Sequence, residues 1–157
     1  MTEFTHLNDR GEARMVDVTD KDVTVRSATA RCSVGVSAEV ADLLRSGSMP
    51  KGDALGVARI AAIQAAKRTP DLIPLCHPIA IHGVDVDVAV RDQVEILVTV
   101  RTADRTGVEM EALTAVSVAC LTVYDMVKAV DRFMTIEGVG MVEKAGGKSG
   151  DWKREDA

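Results

Sequence analysis

Asp125 and Lys128 are the side chains best placed to do chemistry, and they lie near the end of a long apolar stretch. Their spacing puts both on one face of a helix, where a carboxylate and an ammonium can pair. The simpler interpretation is an ion pair at a helix C-terminus, where lysine also suits the helix dipole. The alternative is catalytic, because a lysine in a half-buried cleft can have a lowered pKa and transfer protons while the aspartate orients it. The spacing alone leaves both interpretations open.

Glu109 and Glu111 begin the same stretch. The segment Thr106-Gly107-Val108-Glu109 matches the T-x-x-E capping box, which predicts that Glu109 caps the helix. Glu111 falls in the first turn, where the helix dipole favours an acid. Glu111 and Asp125 are 14 residues apart, which is about 21 Å along a helix axis. They cannot contact one small ligand within one chain, so a site that uses both must be shared between chains.

His77 stands between two prolines in the segment DLIPLCHP at 71–78. The prolines exclude a regular helix and a central strand, so a rigid, extended loop is predicted. A lone histidine is more often a surface residue, but the rigid setting favours a catalytic role because catalysis depends on fixed geometry. Cys76 has no second histidine near it in sequence to act as a base, which favours a packed thiol over a nucleophile.

Several basic residues lie near glycine or proline turns, and each is explained most simply as a solvated charge. They are Lys51, Lys67, Arg68, Lys144 and Lys148. The segment Gly146-Gly147-Lys148-Ser149 is similar to a phosphate-binding loop but lacks the first glycine, since position 142 is valine. A flexible lysine arm that closes over phosphates stays open as an interpretation.

Hydrophobic periodicity predicts the elements that carry these residues. They are a strand at 24–36, a short helix from Ser37 to Arg45, a helix at 54–67 capped by Asp53, strands at 84–90 and 94–100, a helix at 107–131 and a strand at 135–144. The order β-α-β-β-α-β is that of the split, ferredoxin-like arrangement. We therefore predict an α+β fold, with an antiparallel sheet and helices on one face.

Length and composition indicate a single domain spanning 1–157. Residues 1–14 are predicted to form an extended arm, and 145–157 a tail that is mobile without ligand. A net charge of −5 argues against general nucleic-acid binding. An uncharged apolar run of about 18 residues and a signal peptide are both lacking, so a cytoplasmic protein is expected. Three cysteines without CxxC spacing predict neither a disulfide framework nor a zinc site.

Four long blocks, in order and in register, resemble the MoaC family, the cyclic pyranopterin monophosphate synthases of molybdenum cofactor biosynthesis. The blocks are THLNDRGEARMVDVTDK at 5–21, KGDALGVARIAAIQAAKRTPDLIPLCHP at 51–78, GVEMEALTAVSVACLTVYDMVKAVD at 107–131 and EKAGGKSG at 143–150. The resemblance covers nearly the whole chain. It implies a ferredoxin-like subunit in a homohexamer, built as a trimer of dimers with sites at subunit interfaces. It also implies that a 3′,8-cyclised dihydro-GTP is converted to cyclic pyranopterin monophosphate with release of pyrophosphate.

The resemblance also implies roles for individual residues. Those matched to catalysis are Asp125, Lys128, Lys51 and His77. Those matched to substrate binding are Leu75, Cys76, His77, Glu109, Met110 and Glu111, with Lys144, Lys148 and, more weakly, Arg26 for the triphosphate. Neither a protein-bound metal nor a cofactor is expected, and whether Mg²⁺ accompanies the substrate triphosphate stays open.

Two rival interpretations follow from the same residues. One is an oligomeric, non-catalytic module that senses an anionic metabolite, although a sensor needs few acid–base groups. The other is structural: the small side chains of Ala112, Ala115, Ser117 and Ala119 would let the long helix serve as an oligomer interface. The structural role is compatible with catalysis.

Overall fold

The computed structural model describes residues 5–156, and its elements follow the order expected from the periodicity. The strands are β1 (Thr24–Gly35), β2 (Gly83–Val90), β3 (Gln93–Asp104), β4 (Thr135–Ala145) and β5 (Trp152–Lys153). The helices are α1 (Ala38–Ser46), α2 (Ala54–Lys67), α3 (Thr69–Leu72) and α4 (Glu109–Val127).

The strands form one antiparallel sheet in the order β2-β3-β1-β4-β5. The first four strands in this sheet have the ferredoxin-like order, so the predicted α+β fold is confirmed. Along β1 the side chains of Ala28, Ala30, Cys32 and Val34 are buried and face α4, because alternate residues of a strand point to the same side. α4 also contacts β3 and β4, and α2 packs against α4.

The starts of α1 and α2 agree with their sequence signals. The Ser37 hydroxyl accepts a hydrogen bond from the Val40 amide, and α1 ends at Gly47, whose φ of 68° is left-handed. Asp53 caps α2 by accepting a hydrogen bond from the Gly56 amide at 2.9 Å. The alanine face of α2 lets this helix lie close against α4.

The start of α4 differs from the prediction. The helix begins at Glu109, its N-cap is Val108, and no side chain caps it. The predicted capping box is therefore wrong. The Glu109 carboxylate instead binds the Lys144 ammonium at 2.8 Å, a hydrogen bond in which both partners carry a full charge.

The predicted helix also extends too far at its C-terminal end. The helix ends at Val127, and Lys128 is its C-cap. Asp131 lies outside the helix and accepts hydrogen bonds from the amides of Ser37 and Phe133. By length and composition α4 could cross a membrane. However, nine of its side chains are buried in the fold, which is the behaviour of a core helix.

The proline-containing segment is partly helical. Pro70 lies in the first turn of α3, where its missing N–H costs nothing, and Asp71 and Leu72 complete that turn. The loop begins at Ile73 with a turn, in which the Cys76 amide donates to the Ile73 carbonyl at 3.1 Å, and residues 76–82 then lead to β2 without regular structure. The predicted loop at 71–78 therefore starts two residues too early.

Backbone pairing orders residues near both ends of the described chain. Residues 5–14 make a tight turn closed by a bridge between Leu7 and Ala13, whereas residues 1–4 of the predicted arm lie outside the described residues. After Gly150 the chain adds β5 to the edge of β4, and the Arg154 amide donates to the Val142 carbonyl. Mobility of the tail at 145–157 stays a prediction.

Cys32 on β1 and Cys120 on α4 are joined as a disulfide, contrary to the expectation from cysteine spacing. The two residues are 88 positions apart, so their proximity arises only when α4 packs on the sheet. Both are buried. Cys76 is the free cysteine of the described residues.

Reduction of this disulfide is expected to destabilise protein purified without reductant by about 2–4 kcal/mol, because the cross-link restricts the unfolded chain. Urea unfolding with and without dithiothreitol measures the difference. The matched control is Cys120→Ser, whose unfolding midpoint should be the same in both buffers. A wild-type midpoint that does not respond to reductant would contradict the prediction.

Candidate active site

The predicted site residues form two separate groups, one at each end of α4. The acidic half-site lies at the N-terminal end and consists of Leu75, Cys76, His77, Glu109, Met110, Glu111 and Lys144. The lysine half-site lies at the other end and consists of Lys51, Asp125 and Lys128. The 14-residue spacing of Glu111 and Asp125 within one continuous helix separates the groups by about 21 Å. One chain therefore does not bring all the predicted residues together.

The acidic half-site surrounds a cavity of about 310 Å³. One wall is the loop of Leu75, Cys76 and His77, which follows α3, and a second is the first turn of α4. A third wall comes from the N-terminal segment, through Val16, Val18 and Lys21. The cavity is large enough for part of a nucleotide-sized ligand.

Glu111 is the buried acid of this cavity, with only 3% of its surface exposed. Burial, and then the nearby charge of Glu109, raise its pKa above the ordinary glutamate value, although its own backbone N–H opposes the shift. Burial also raises the pKa of the Cys76 thiol, and the charge of Glu111 adds to the effect. Cys76 is therefore a neutral thiol at physiological pH, as the sequence predicted for a packed cysteine.

Lys144 crosses from β4 to the acidic half-site. Its ammonium donates to Glu109 at 2.8 Å and to the Ser149 hydroxyl at 2.7 Å. The Lys144–Glu109 pair is about three-quarters buried at the lysine and two-thirds buried at the glutamate. Lys144 thus ties the Gly-rich segment at 145–150 to the start of α4.

His77 is held in place by the N-terminal segment. Its Nε2 lies 2.6 Å from the carbonyl oxygen of Val16. The ring is half-buried on the cavity wall. A histidine fixed in this way by a backbone carbonyl can hold a ligand in one orientation.

In the lysine half-site, one carboxylate holds two ammonium groups. The Lys128 ammonium is 2.7 Å from Asp125 Oδ1, and that of Lys51 is 4.0 Å from Oδ2 while donating to the Asp125 carbonyl at 3.1 Å. The hydrogen bond from Lys128, and then its charge, lower the pKa of Asp125. The same bond and charge raise the pKa of Lys128. The Lys128 side chain is about half exposed. In a single chain it is therefore a protonated lysine of raised pKa, and not the lysine of lowered pKa that a half-buried cleft would produce.

Arg26 and Lys148 do not line the cavity. The Arg26 guanidinium donates to the carbonyls of Asp104 and Arg105 and to the Thr24 hydroxyl. Gly147 passes so close to this guanidinium that a Cβ there would clash with it. Lys148 is exposed on the next position of the same turn, so both residues lie beside the segment that Lys144 anchors.

The structure adds residues that the sequence did not single out. Val16, Val18 and Lys21 line the cavity but were not assigned a role. They belong to the first of the four resembling blocks, which has no hydrophobic periodicity to place it on the fold. Within residues 5–156, no three His, Cys, Asp or Glu side chains cluster as metal ligands would.

Glu111→Gln is expected to raise the melting temperature by a few degrees at about pH 8 and to leave it unchanged at about pH 4. A carboxyl whose folded pKa is raised binds its proton more tightly in the folded chain. Its charged form therefore weakens folding as the pH rises through the raised pKa, and glutamine removes that cost. Thermal unfolding at both pH values measures the effect, and Glu155→Gln, at an exposed position, is the control. A loss of stability at the higher pH would contradict the prediction and would place a cation beside Glu111.

The chain is a small α+β protein with clusters of acid–base side chains at both ends of its central helix and a buried acid of raised pKa in a cavity, which are features of an enzyme site. The sequence profile of the MoaC family matches residues 15–147. The chain therefore belongs to the MoaC family.

Relatives along almost the full chain carry one name, cyclic pyranopterin monophosphate synthase. One from Streptomyces avermitilis is 64% identical over 152 residues, which are 96% of this chain and 89% of the relative. One from Thermomicrobium roseum is 58% identical, with 99% and 96% covered. One from Novosphingobium aromaticivorans is 57% identical, with 98% of each chain covered.

Proposed function

We infer that this protein is a cyclic pyranopterin monophosphate synthase. It converts (8S)-3′,8-cyclo-7,8-dihydroguanosine 5′-triphosphate to cyclic pyranopterin monophosphate and releases pyrophosphate, an early step of molybdenum cofactor biosynthesis. The observation that carries this inference is membership of the MoaC family across residues 15–147, with 64% and 58% identity to synthases of which 89% and 96% are covered. The two half-sites supply the acid–base groups and the cations that such a reaction needs.

We propose that the active site forms between subunits, where the acidic half-site of one chain meets the lysine half-site of another. The charges support this arrangement. The acidic half-site has two carboxylates and one lysine, whereas the lysine half-site has two lysines and one carboxylate. Carboxylates of the first group and lysines of the second could therefore pair across an interface and set its register. The oligomer we propose is a homohexamer, a trimer of dimers.

Exposed apolar side chains on α2, on α4 and beyond the end of α4 also support association. Val57 and Ile60 on α2 and Leu121 on α4 are each about half exposed, and Phe133 beyond α4 is 93% exposed. Large exposed apolar side chains mark surfaces that contact a partner. A second copy bound at this surface would supply the contact that a site shared between chains requires.

The reaction requires opening of the cyclised purine, formation of the pyranopterin ring, and attack of a hydroxyl on the α-phosphate with pyrophosphate as the leaving group. We propose that Lys128 and Lys51 transfer protons and stabilise negative charge while Asp125 orients Lys128. Entry of substrate between the two half-sites would desolvate Lys128 and bring its pKa closer to the working pH.

Residues of the acidic half-site would bind the substrate. The proposed contacts are Leu75, Cys76, His77, Glu109 and Met110, with Glu111 as a further polar contact. Lys144 and Lys148 would hold the triphosphate, and Arg26 beside Gly147 is a weaker candidate for the same task. Bound phosphates would compete with Glu109 for Lys144, because both are anions. We propose no resident metal or cofactor, and any Mg²⁺ would accompany the substrate triphosphate as its counter-ion. We place the reaction in the cytoplasm, without a nucleic-acid or membrane partner.

The direct test is to incubate the purified protein with the 3′,8-cyclised GTP derivative and to measure pyrophosphate and the cyclic pyranopterin product. Equal amounts of both products are expected, with none from GTP itself. Repeating the assay with a chelator and with added Mg²⁺ shows whether the triphosphate needs a cation. Tight binding without turnover would overturn the proposed function and favour an anion-sensing module.

A further inference from the structure

The N-terminal segment Val16–Lys21, here called the strap, covers the cavity of the acidic half-site and is attached at both ends. At its start, the Val16 carbonyl oxygen lies 2.6 Å from His77 Nε2. At its end, the Lys21 carbonyl accepts a hydrogen bond from Arg105 Nε at 2.9 Å. Val16 and Val18 are half-buried on the cavity side, whereas Asp17 and Thr19 are exposed.

The strap is also stiffened by its own hydrogen bonds. The Asp17 carboxylate accepts from both the amide and the hydroxyl of Thr19, at 2.9 and 2.5 Å. The Lys21 amide donates to the Val18 carbonyl at 3.1 Å. A segment held at both ends and folded by local bonds presents the Val16 carbonyl to His77 from a fixed position.

This contact determines which ring nitrogen of His77 carries the proton. A backbone carbonyl can only accept, so Nε2 must be the donor. In the neutral imidazole, Nδ1 is then unprotonated and accepts hydrogen bonds or protons. Among residues 5–156 the one hydrogen bond of the His77 ring is that of Nε2, so Nδ1 is available to a ligand.

We propose that the strap is a positioning element that fixes His77 as the Nε2–H tautomer, so that Nδ1 meets the substrate as an acceptor or base. Arg105 is the positioning residue that secures the far end of the strap. The catalytic part of this proposal rests on the proposed function. The tautomer does not, because it is a property of the ligand-free protein.

The tautomer is measured by long-range proton–nitrogen correlation NMR on protein labelled with ¹⁵N-histidine. The chain has three histidines, and the His77 signals are identified as those missing from His77→Gln. We expect a protonated Nε2 and an unprotonated Nδ1 in the neutral ring of wild-type protein. A protonated Nδ1, or the averaged signals of two exchanging tautomers, would overturn the proposal whether or not the protein turns over substrate.

Arg105→Ala tests the anchor of the strap. We expect its His77 signals to shift towards a tautomer mixture and kcat to fall roughly 10- to 100-fold, since small misplacements of a catalytic group are costly. The matched control is Arg91→Ala, which removes an exposed arginine from the β2–β3 turn and should leave both readouts unchanged. An Arg105→Ala protein with wild-type ring signals and wild-type kcat would overturn the role of Arg105. A fall in kcat with unchanged ring signals would do the same.

Discussion

Lys128→Ala is expected to reduce turnover by about 10³-fold or more while leaving the fold and the assembly intact. A positioned acid–base group contributes about 10²- to 10⁴-fold to a rate, and this lysine is proposed to act in more than one proton transfer. The fold should tolerate the change because the Lys128 side chain is 54% exposed, and surface substitutions rarely cost more than about 0.5 kcal/mol. Rates of pyrophosphate release, with light scattering to follow the assembly, measure both parts of the prediction.

Lys128→Arg separates proton transfer from charge stabilisation. Arginine keeps the cation beside Asp125 but does not lose its proton in proteins. If Lys128 transfers protons, the arginine variant should be almost as inactive as the alanine variant. If it only stabilises charge, the arginine variant should keep much of the activity.

The control for both variants is Lys67→Ala, which removes an exposed lysine from the end of α2. It should keep wild-type turnover. Near-normal product formation by Lys128→Ala would remove Lys128 from the catalytic role, and the remaining candidates for proton transfer would then be Lys51 and His77.

The elements that position these residues were predictable because their signals are local. Alternation along β1, β2 and β3, the start of a helix near Ser37 and the cap at Asp53 depend only on neighbours in sequence, and all of them are confirmed. The separation of Glu111 from Asp125 was predictable for the same reason. A continuous helix converts sequence distance directly into axial distance.

The features that the sequence did not predict depend on partners far along the chain. The capping box at Thr106–Glu109 failed because Lys144, 35 residues away, competes for the Glu109 carboxylate. The Cys32–Cys120 disulfide joins residues 88 positions apart. The strap has no periodicity, and its place on the cavity depends on contacts with His77 and Arg105. Local patterns contain no information about such contacts.

Mixing two inactive variants is expected to restore activity. His77→Ala disables the acidic half-site, and Lys128→Ala disables the lysine half-site. Suppose that each active site takes one half from each of two chains and that equal amounts of the variants assemble at random. In about a quarter of the sites, both the acidic half-site and the lysine half-site are then intact. The mixture should therefore reach about a quarter of the wild-type rate, although each variant alone is nearly inactive. The variants are unfolded together and refolded so that their chains exchange, and native mass spectrometry confirms the mixing.

A chain carrying both substitutions provides the matched control. This chain is mixed in equal amounts with wild-type protein. If the sites are shared between chains, about half of the wild-type half-sites are then paired with a half-site from the doubly substituted chain. The rate per wild-type chain should then fall by about half. Sites contained within single chains would leave that rate unchanged, and the two inactive variants would not complement each other. Because α4 separates the two half-sites by about 21 Å, that result would mean that the acidic and lysine half-sites do not act on the same substrate molecule. Catalysis would then have to be assigned to one end of the helix alone.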